Sequence, residues 1–149
     1  SWESAPFPPI FVTTDCVVIK SGHVLVVKRK SFPGKGQLAL PGGFLKTDEK
    51  IKVGAIRELK EETSIALSKE VLTNSIVDEK VFDHPNRSLR GRTITNVFLI
   101  NLGNGPLPKV KGSDDAEKSW WMPLNEFYLR EDSFFEDHWH IIYHFVSRF

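Results

Sequence analysis

The alternation of apolar and polar positions along the chain predicts an α/β fold. Residues 11–20 and 23–30 are rich in β-branched side chains and flank Ser21 and Gly22, which predicts a β-hairpin. Further strands are predicted at 37–40, 70–83, 93–102 and 118–122, and further helices from Leu124 and Ser133. Helices interleaved with a mixed sheet imply a layered α/β arrangement.

A helix is predicted over residues 49–63, where apolar residues recur at helical spacing. Thr47 and Asp48 are favourable N-cap types, and Glu49 suits the first turn. This helix carries the strongest chemical signal in the chain.

Glu58, Glu61 and Glu62 stand at i, i+3 and i+4 of that helix, so their carboxylates should converge on one patch. Like charges repel at this spacing, and the helix C-terminus also disfavours them. A hard divalent cation such as Mg²⁺ relieves both the repulsion and the unfavourable position at the helix end. Because the cluster contains carboxylates and neither Cys nor His, zinc is disfavoured. The alternative is a solvated acidic helix face.

Glycines upstream of the helix favour the metal interpretation. Pro41, Gly42 and Gly43 are predicted to form a turn after the strand at 37–40. Glycine permits positive φ and lets backbone carbonyls approach a ligand closely. A plain turn residue is the alternative for Gly42.

The segment from Gly43 to Ile65 fits a spaced template: Gly, five residues, Glu, seven residues, Arg-Glu-aliphatic-any-Glu-Glu-any-Gly-aliphatic. Every specified position matches except the last Gly, which is Ser64. The segment resembles the signature of the Nudix hydrolases, which implies pyrophosphate hydrolysis on an α/β/α sandwich with a mixed sheet.

The resemblance also implies roles for individual residues. The carbonyl of Gly42 and the carboxylates of Glu58, Glu61 and Glu62 would hold Mg²⁺, with Mn²⁺ as a substitute ion. Glu49 would support the cluster and Arg57 would orient a neighbouring carboxylate. The position of Ser64 binds no metal in this pattern, so the change from Gly should not affect activity. A Cβ at a left-handed helix end is disfavoured, so Ser64 should lower stability instead.

Arginines in a loop between two predicted strands suggest how a substrate is bound. Arg87, Arg90 and Arg92 surround Gly91, and guanidinium groups suit bidentate contact with phosphate. Arginines scattered on the surface are the alternative.

A second loop, spanning residues 109–117, is acidic. Asp114, Asp115 and Glu117 could supply a further metal ligand or a base for the attacking water. The general base stays open between Glu58 and these acids, and a solvated acidic loop is the alternative.

Longer segments, including DHPNRSLRGRTIT, GSDDAEKSWWMPL and FFEDHWHII, resemble the Nudix domain of bifunctional NMN adenylyltransferase/Nudix proteins. That resemblance implies hydrolysis of ADP-ribose to AMP and ribose 5-phosphate within NAD metabolism, and an adenylyltransferase domain upstream. Other candidates are a nucleoside triphosphate or dinucleotide pyrophosphohydrolase and a non-catalytic ADP-ribose sensor. Oligomeric state stays open, with a homodimer among the options.

Composition bounds the remaining possibilities. The 149 residues suit one domain, expected at 11–149 behind a lead-in over 1–10, and the net charge of +1 gives no bulk attraction to nucleic acid or anionic membrane. With one cysteine, Cys16, in an apolar strand, an internal disulfide is excluded. No apolar run suggests a membrane span or signal peptide, so a cytoplasmic location is expected.

Overall fold

The computed structural model describes residues 6–111 and 118–148, and strands and helices alternate along them as the sequence pattern indicates. The strands are β1 (Phe11–Lys20), β2 (His23–Lys28), β3 (Leu38–Ala39), β4 (Gly42–Phe44), β5 (Ile76–Phe82), β6 (Thr93–Asn101) and β7 (Ser119–Pro123). The helices are α1 (Ile51–Thr63), α2 (Lys69–Asn74), α3 (Leu124–Phe127) and α4 (His138–Val146), with a 3₁₀ turn at Glu131–Ser133.

One mixed sheet joins the described strands in the order β3-β2-β1-β6-β5, with β7 on β2 and β4 on β1. β6 runs parallel to β1 over nearly its whole length. On its other edge β1 changes partner, pairing with β2 at Ile19–Lys20 and with β4 at Thr13–Asp15. A cleft opens between β2 and β4 where the partner changes.

Helices cover both faces of the sheet because successive residues of β1 point to opposite sides. Val17 and Ile19 pack with α3 and α4, whereas Cys16 and Val18 pack with α1 and α2. Two apolar cores therefore lie between three layers, which confirms the expected α/β/α sandwich. In the described residues no helix is long and apolar enough to cross a membrane.

The strand predicted at 70–83 is wrong in its first part, which folds as α2. The hydroxyl of Ser68 accepts a hydrogen bond from the Val71 N–H at 3.1 Å and caps this helix, so the chain becomes extended only at Ile76. The helix predicted from Ser133 likewise begins later, at His138. Phe135 is held extended because its N–H donates to the Leu38 carbonyl at 2.8 Å.

The start of the acidic helix also differs from the prediction. α1 begins at Ile51 with Lys50 at the N-cap position, so neither Thr47 nor Asp48 caps it and Glu49 precedes its first turn. Gly42 and Gly43 belong to β4 rather than to a turn. Glu49 instead accepts a hydrogen bond from the Lys46 N–H at 3.0 Å, which closes the loop between β4 and α1.

Candidate metal and phosphate site

Arg57 is the centre of an ion-pair network on α1. Its Nε and Nη2 donate to the two oxygens of Glu49 at 2.9 and 2.7 Å, while Nη1 donates to Glu58 at 3.0 Å and to Glu61 at 3.1 Å. Hydrogen bonds from Arg57 hold the pKa of Glu49 at about 2, and the same bonds raise the pKa of Arg57. Three of the predicted carboxylates thus share one guanidinium.

Glu62 faces inward from the last turn of α1. Its Oε2 accepts a hydrogen bond from the Gly42 N–H at 2.7 Å. Burial raises the pKa of Glu62 to about 8, with the charges of Glu58 and Asp15 adding to the effect. This carboxyl therefore keeps its proton at neutral pH unless a cation lies beside it.

Close approach, and not left-handed backbone, explains the two glycines of β4. A Cβ on Gly42 would collide with the Thr14 carbonyl and the Asp15 carboxylate on β1. A Cβ on Gly43 would lie 2.8 Å from the carboxyl carbon of Glu58. Glycine at position 42 therefore lets β4 lie directly against β1, and glycine at position 43 lets it lie against Glu58 of α1.

The cleft between β2 and β4 has a volume of about 340 Å³. Glu61 and Glu62 line it from α1, and Arg29 and Arg90 line it from other segments. Both guanidiniums approach the ring of Phe135, at 3.9 Å for Arg29 and 5.3 Å for Arg90. Burial, and then the nearby charge of Arg90, lower the pKa of Arg29, so an anion in the cleft would relieve repulsion between the two cations.

The three predicted phosphate-binding arginines lie in different surroundings. Arg90 lines the cleft and makes a long 3.4 Å contact with Glu136. Arg87 is buried and makes a bidentate pair with Asp137 at 2.8 and 2.9 Å, and Arg92 donates to the carbonyl of Asp83. Arg87 thus ties its loop to the start of α4, while Arg90 faces the candidate site.

Among the cleft residues that sequence reasoning missed are Asp15, Arg29 and His138. Asp15 is buried on β1 and accepts a hydrogen bond from the Thr95 hydroxyl. His138 is buried, its Nδ1 accepts from the Leu40 N–H at 3.0 Å, and burial lowers its pKa. An acid next to the apolar run at 16–19 was a usable signal, whereas nothing local distinguished Arg29 from its cationic neighbours.

Donor chemistry at this site fits a hard cation. The donors are carboxylate oxygens and glycine backbone, as Mg²⁺ and Mn²⁺ prefer. Among residues 6–111 and 118–148, no three His, Cys, Asp or Glu side chains are grouped closely enough to hold a metal ion. Arg57 bonds one oxygen each of Glu58 and Glu61 while Gly42 bonds one oxygen of Glu62, so metal binding requires these side chains to turn toward one another.

Three predicted site candidates, Asp114, Asp115 and Glu117, lie outside the described residues. Their suggested roles as base and metal ligand remain predictions.

Comparison with known proteins identifies the family of this chain. The family model for the NUDIX domain matches residues 9–145. An ADP-ribose pyrophosphatase of Methanocaldococcus jannaschii is 35% identical over 114 residues, covering 76% of this chain and 62% of that protein. Nudix hydrolase 5 of Arabidopsis thaliana is 32% identical over 113 residues, covering 74% of this chain and 35% of that protein.

A solved structure is similar over nearly the whole chain. It is a bifunctional NMN adenylyltransferase/ADP ribose pyrophosphatase from Francisella tularensis, complexed with AMP and a manganese ion. The match has 46% identity and a TM-score of 0.91, and it covers 99% of this chain but 44% of that one. This chain spans less than two thirds of the length of each of these relatives. Because the NUDIX model matches residues 9–145, the chain belongs to the Nudix family.

Proposed function

We propose that this Nudix chain hydrolyses the pyrophosphate of ADP-ribose to AMP and ribose 5-phosphate with Mg²⁺ as its cofactor, and that Mn²⁺ can replace Mg²⁺. The observation that carries the proposal is the cleft in which Glu61 and Glu62 meet Arg29 and Arg90. Carboxylates for a cation beside guanidiniums for phosphate oxygens suit a pyrophosphate ester. Relatives named as ADP-ribose pyrophosphatases support the choice of substrate.

The residues present divide the work of the reaction. Gly42, Glu58, Glu61 and Glu62 would hold the metal, which supplies charge neutralisation on the phosphates and an activated water. Arg90 and Arg29 bind and orient the phosphates from the other side of the cleft. Arg57, fixed by Glu49, keeps Glu58 and Glu61 aimed at the same region.

The general base is left open between Glu58 and the acids of the loop at 109–117. Glu58 lies against the backbone of Gly43 with its Oε1 bonded to Arg57, which leaves Oε2 to accept a proton. The alternatives are the acids of that loop, among which Asp115 is tested first. Replacing each by its amide and comparing the pH dependence of kcat distinguishes them, because loss of the base removes the acidic limb of the profile.

Three wider proposals accompany the reaction. First, the chain acts in NAD metabolism in the cytoplasm. Second, an NMN adenylyltransferase domain precedes it in the full-length protein. Third, a homodimer is the assembly proposed for it. The length of the Francisella tularensis relative supports the second of these. Neither nucleic acid nor membrane is proposed as a partner, in keeping with the net charge of +1.

One assay tests the function. The protein is incubated with Mg²⁺ and separately with ADP-ribose, NAD, NADH, diadenosine polyphosphates and nucleoside triphosphates, and the products are resolved chromatographically. AMP and ribose 5-phosphate from ADP-ribose as the fastest reaction support the proposal. Faster cleavage of a triphosphate or dinucleotide supports the alternative hydrolase, and tight ADP-ribose binding without turnover supports a sensor.

Matched variants show whether any activity belongs to this site. Glu62→Gln keeps the side-chain shape and should reduce turnover by orders of magnitude, whereas Glu70→Gln, at an exposed position of α2, should not change it. Equal rates in wild type and Glu62→Gln would overturn the assignment of the metal site.

A further inference from the structure

The segment at 135–138, which leads into α4, forms one wall of the cleft. Phe135 and His138 line the cleft itself. Between them, Glu136 and Asp137 bond to the arginine loop (residues 83–92), which joins β5 to β6 and carries the predicted phosphate-binding arginines. Two consecutive acids thus attach this loop to the start of α4.

Glu136 adopts a left-handed backbone conformation, with φ 48°. This conformation is disfavoured for a residue with a Cβ, so it persists only where the surrounding structure holds it in place. The chain on either side is fixed, because the Phe135 N–H donates to the Leu38 carbonyl and the His138 N–H donates to the Phe135 carbonyl. The side chain of Glu136 is 8% exposed. Buried side chains on disfavoured backbone beside a cleft are typical of functional positions.

Both carboxylate oxygens of Glu136 are directed at the arginine loop. Oε2 accepts a hydrogen bond from the Leu89 N–H at 3.1 Å, and Oε1 lies 3.4 Å from Nη2 of Arg90. The first contact fixes the backbone just before Arg90, and the second limits where the guanidinium can lie. Ser88 adds a further restraint, because its hydroxyl accepts from the backbone N–H and from Nε of Arg90, both at 3.2 Å.

The contact between Glu136 and Arg90 leaves the guanidinium available to a ligand. At 3.4 Å it is longer than the roughly 2.7–2.9 Å usual for charged hydrogen bonds. The ring of Phe135 supports Arg90 at 5.3 Å and Arg29 at 3.9 Å, which keeps the two cations close together. Burial, and then the charge of Arg90, lower the pKa of Arg29, whereas the charge of Glu136 raises it. Glu136 therefore offsets the repulsion between the two arginines until a phosphate does so.

We propose that Glu136 is a positioning residue for phosphate binding, which holds the arginine loop at Leu89 and keeps Arg90 beside Arg29 before the substrate arrives. Such preorganisation lowers the entropy lost when a long side chain is ordered on binding. The inference rests on the proposed function in taking a diphosphate ester as the ligand. Glu136 acts through Arg90 and not on the reacting phosphorus.

The sign of the effect separates this role from simple electrostatics. A negative charge beside the cleft repels a phosphate, so neutralising an acid without a positioning role would tighten binding. Neutralising a positioning residue weakens binding instead. In Glu136→Gln the amide oxygen can accept from Leu89 or lie beside Arg90, but the NH₂ group cannot accept from either.

The test is a double-mutant cycle between Glu136→Gln and Arg90→Met. The probe is α,β-methylene-ADP, which presents a diphosphate but resists hydrolysis because a methylene replaces the bridging oxygen. Its binding is measured by calorimetry in Mg²⁺, and circular dichroism checks that each variant is folded. Glu126→Gln is the matched control, because Glu126 also contacts an arginine, Arg130 at 3.6 Å, but lies outside the cleft lining.

Glu136→Gln should weaken binding of the analogue by about threefold or more, within the roughly 2- to 150-fold coupling usual for residues in contact. In the Arg90→Met background the same substitution should change binding by less than about twofold, as should Glu126→Gln in the wild type. Binding that is tighter, unchanged or only slightly weaker in Glu136→Gln overturns the proposal. An equal loss with and without Arg90, or a wild type that does not bind the analogue, also overturns it.

A second variant covers the case in which Glu136→Gln does not fold. Glu136→Asp keeps the charge and suits left-handed backbone, but its shorter side chain draws the carboxylate away from the arginine loop. It should weaken binding in the same Arg90-dependent way and is judged by the same outcomes.

These outcomes are separate from the reaction, because the analogue is not cleaved. Wild type that cleaves ADP-ribose while binding of the analogue ignores Glu136 refutes the positioning role alone. Wild type that binds the analogue through Glu136 and Arg90 but leaves ADP-ribose intact supports the positioning role and refutes the proposed function.

Discussion

Two hydrogen bonds join Arg57 to Glu49, at 2.7 Å from Nη2 to Oε1 and at 2.9 Å from Nε to Oε2. This bidentate pair spans the loop between β4 and α1 and fixes the plane of the guanidinium. The remaining nitrogen, Nη1, is thereby aimed at Glu58 and Glu61. Glu49 therefore acts on the site through Arg57 and is a positioning residue.

Glu49→Gln should raise the Mg²⁺ concentration needed for half-maximal activity by roughly 10- to 100-fold, because supporting groups around metal ligands have effects of this size. The variant keeps the size of the side chain but loses the charge that orients Arg57. Magnesium titrations of activity measure the effect, with Glu70→Gln as the control. An unchanged magnesium dependence in Glu49→Gln would contradict the positioning role.

The same pair makes stability depend on acid pH. The pKa of Glu49 is lowered from 4.5 to about 2 in the folded chain, so its ionised form favours folding above pH 4.5 and this contribution is lost as the pH falls toward 2. Glu49→Gln should melt below the wild type at pH 6, and the difference should vanish near pH 2. Thermal melts at several pH values test this, and a constant difference would show that the pairing charge is not its cause.

Glu62 should have the opposite pH dependence. Its pKa is raised from 4.5 to about 8, so the folded state keeps a proton that the unfolded state releases, and stability falls as pH rises from 4.5 to 8. In EDTA, Glu62→Gln should melt about 5 °C or more above the wild type at pH 8.5 and close to it at pH 4.5. Equal melting temperatures at both pH values would mean that Glu62 is not buried as a neutral acid.

The sequence predicted the layers of the fold and the helix that carries the carboxylates, because both depend on local periodicity and spacing. It missed α2, which the Ser68 hydroxyl caps at its start, because it read the strand pattern of the residues that follow as beginning at Glu70. It also assigned Arg87 and Arg90 the same phosphate-binding role, although Arg87 is buried in a pair with Asp137 while Arg90 lines the cleft. Arg29 and His138 come to the site only through long-range packing, which no local pattern records.

Ser64 tests the one departure from the family signature. It adopts the left-handed conformation with φ 49° and ψ 32° just after α1, and its N–H donates to the Lys60 carbonyl. Because a Cβ is disfavoured there, Ser64→Gly should raise stability by about 1 kcal/mol and leave kcat unchanged. Denaturant melts and kinetics measure both quantities, and Ser64→Ala, which keeps the Cβ, is the control. A large loss of activity in Ser64→Gly would show that the serine hydroxyl contributes to the site.

Arg87 and Arg90 should respond differently to the same substitution. The side chain of Arg87 is 2% exposed and pairs with Asp137, so Arg87→Met leaves a carboxylate without its partner and should lower stability by about 3 kcal/mol with little change in KM. Arg90→Met should instead raise the KM for ADP-ribose more than about tenfold with a small loss of stability, since charged hydrogen bonds to phosphate are lost. Denaturant unfolding and steady-state kinetics well below the melting temperature separate the two effects. A large KM increase in folded Arg87→Met would mean that Arg87 leaves Asp137 to bind the substrate.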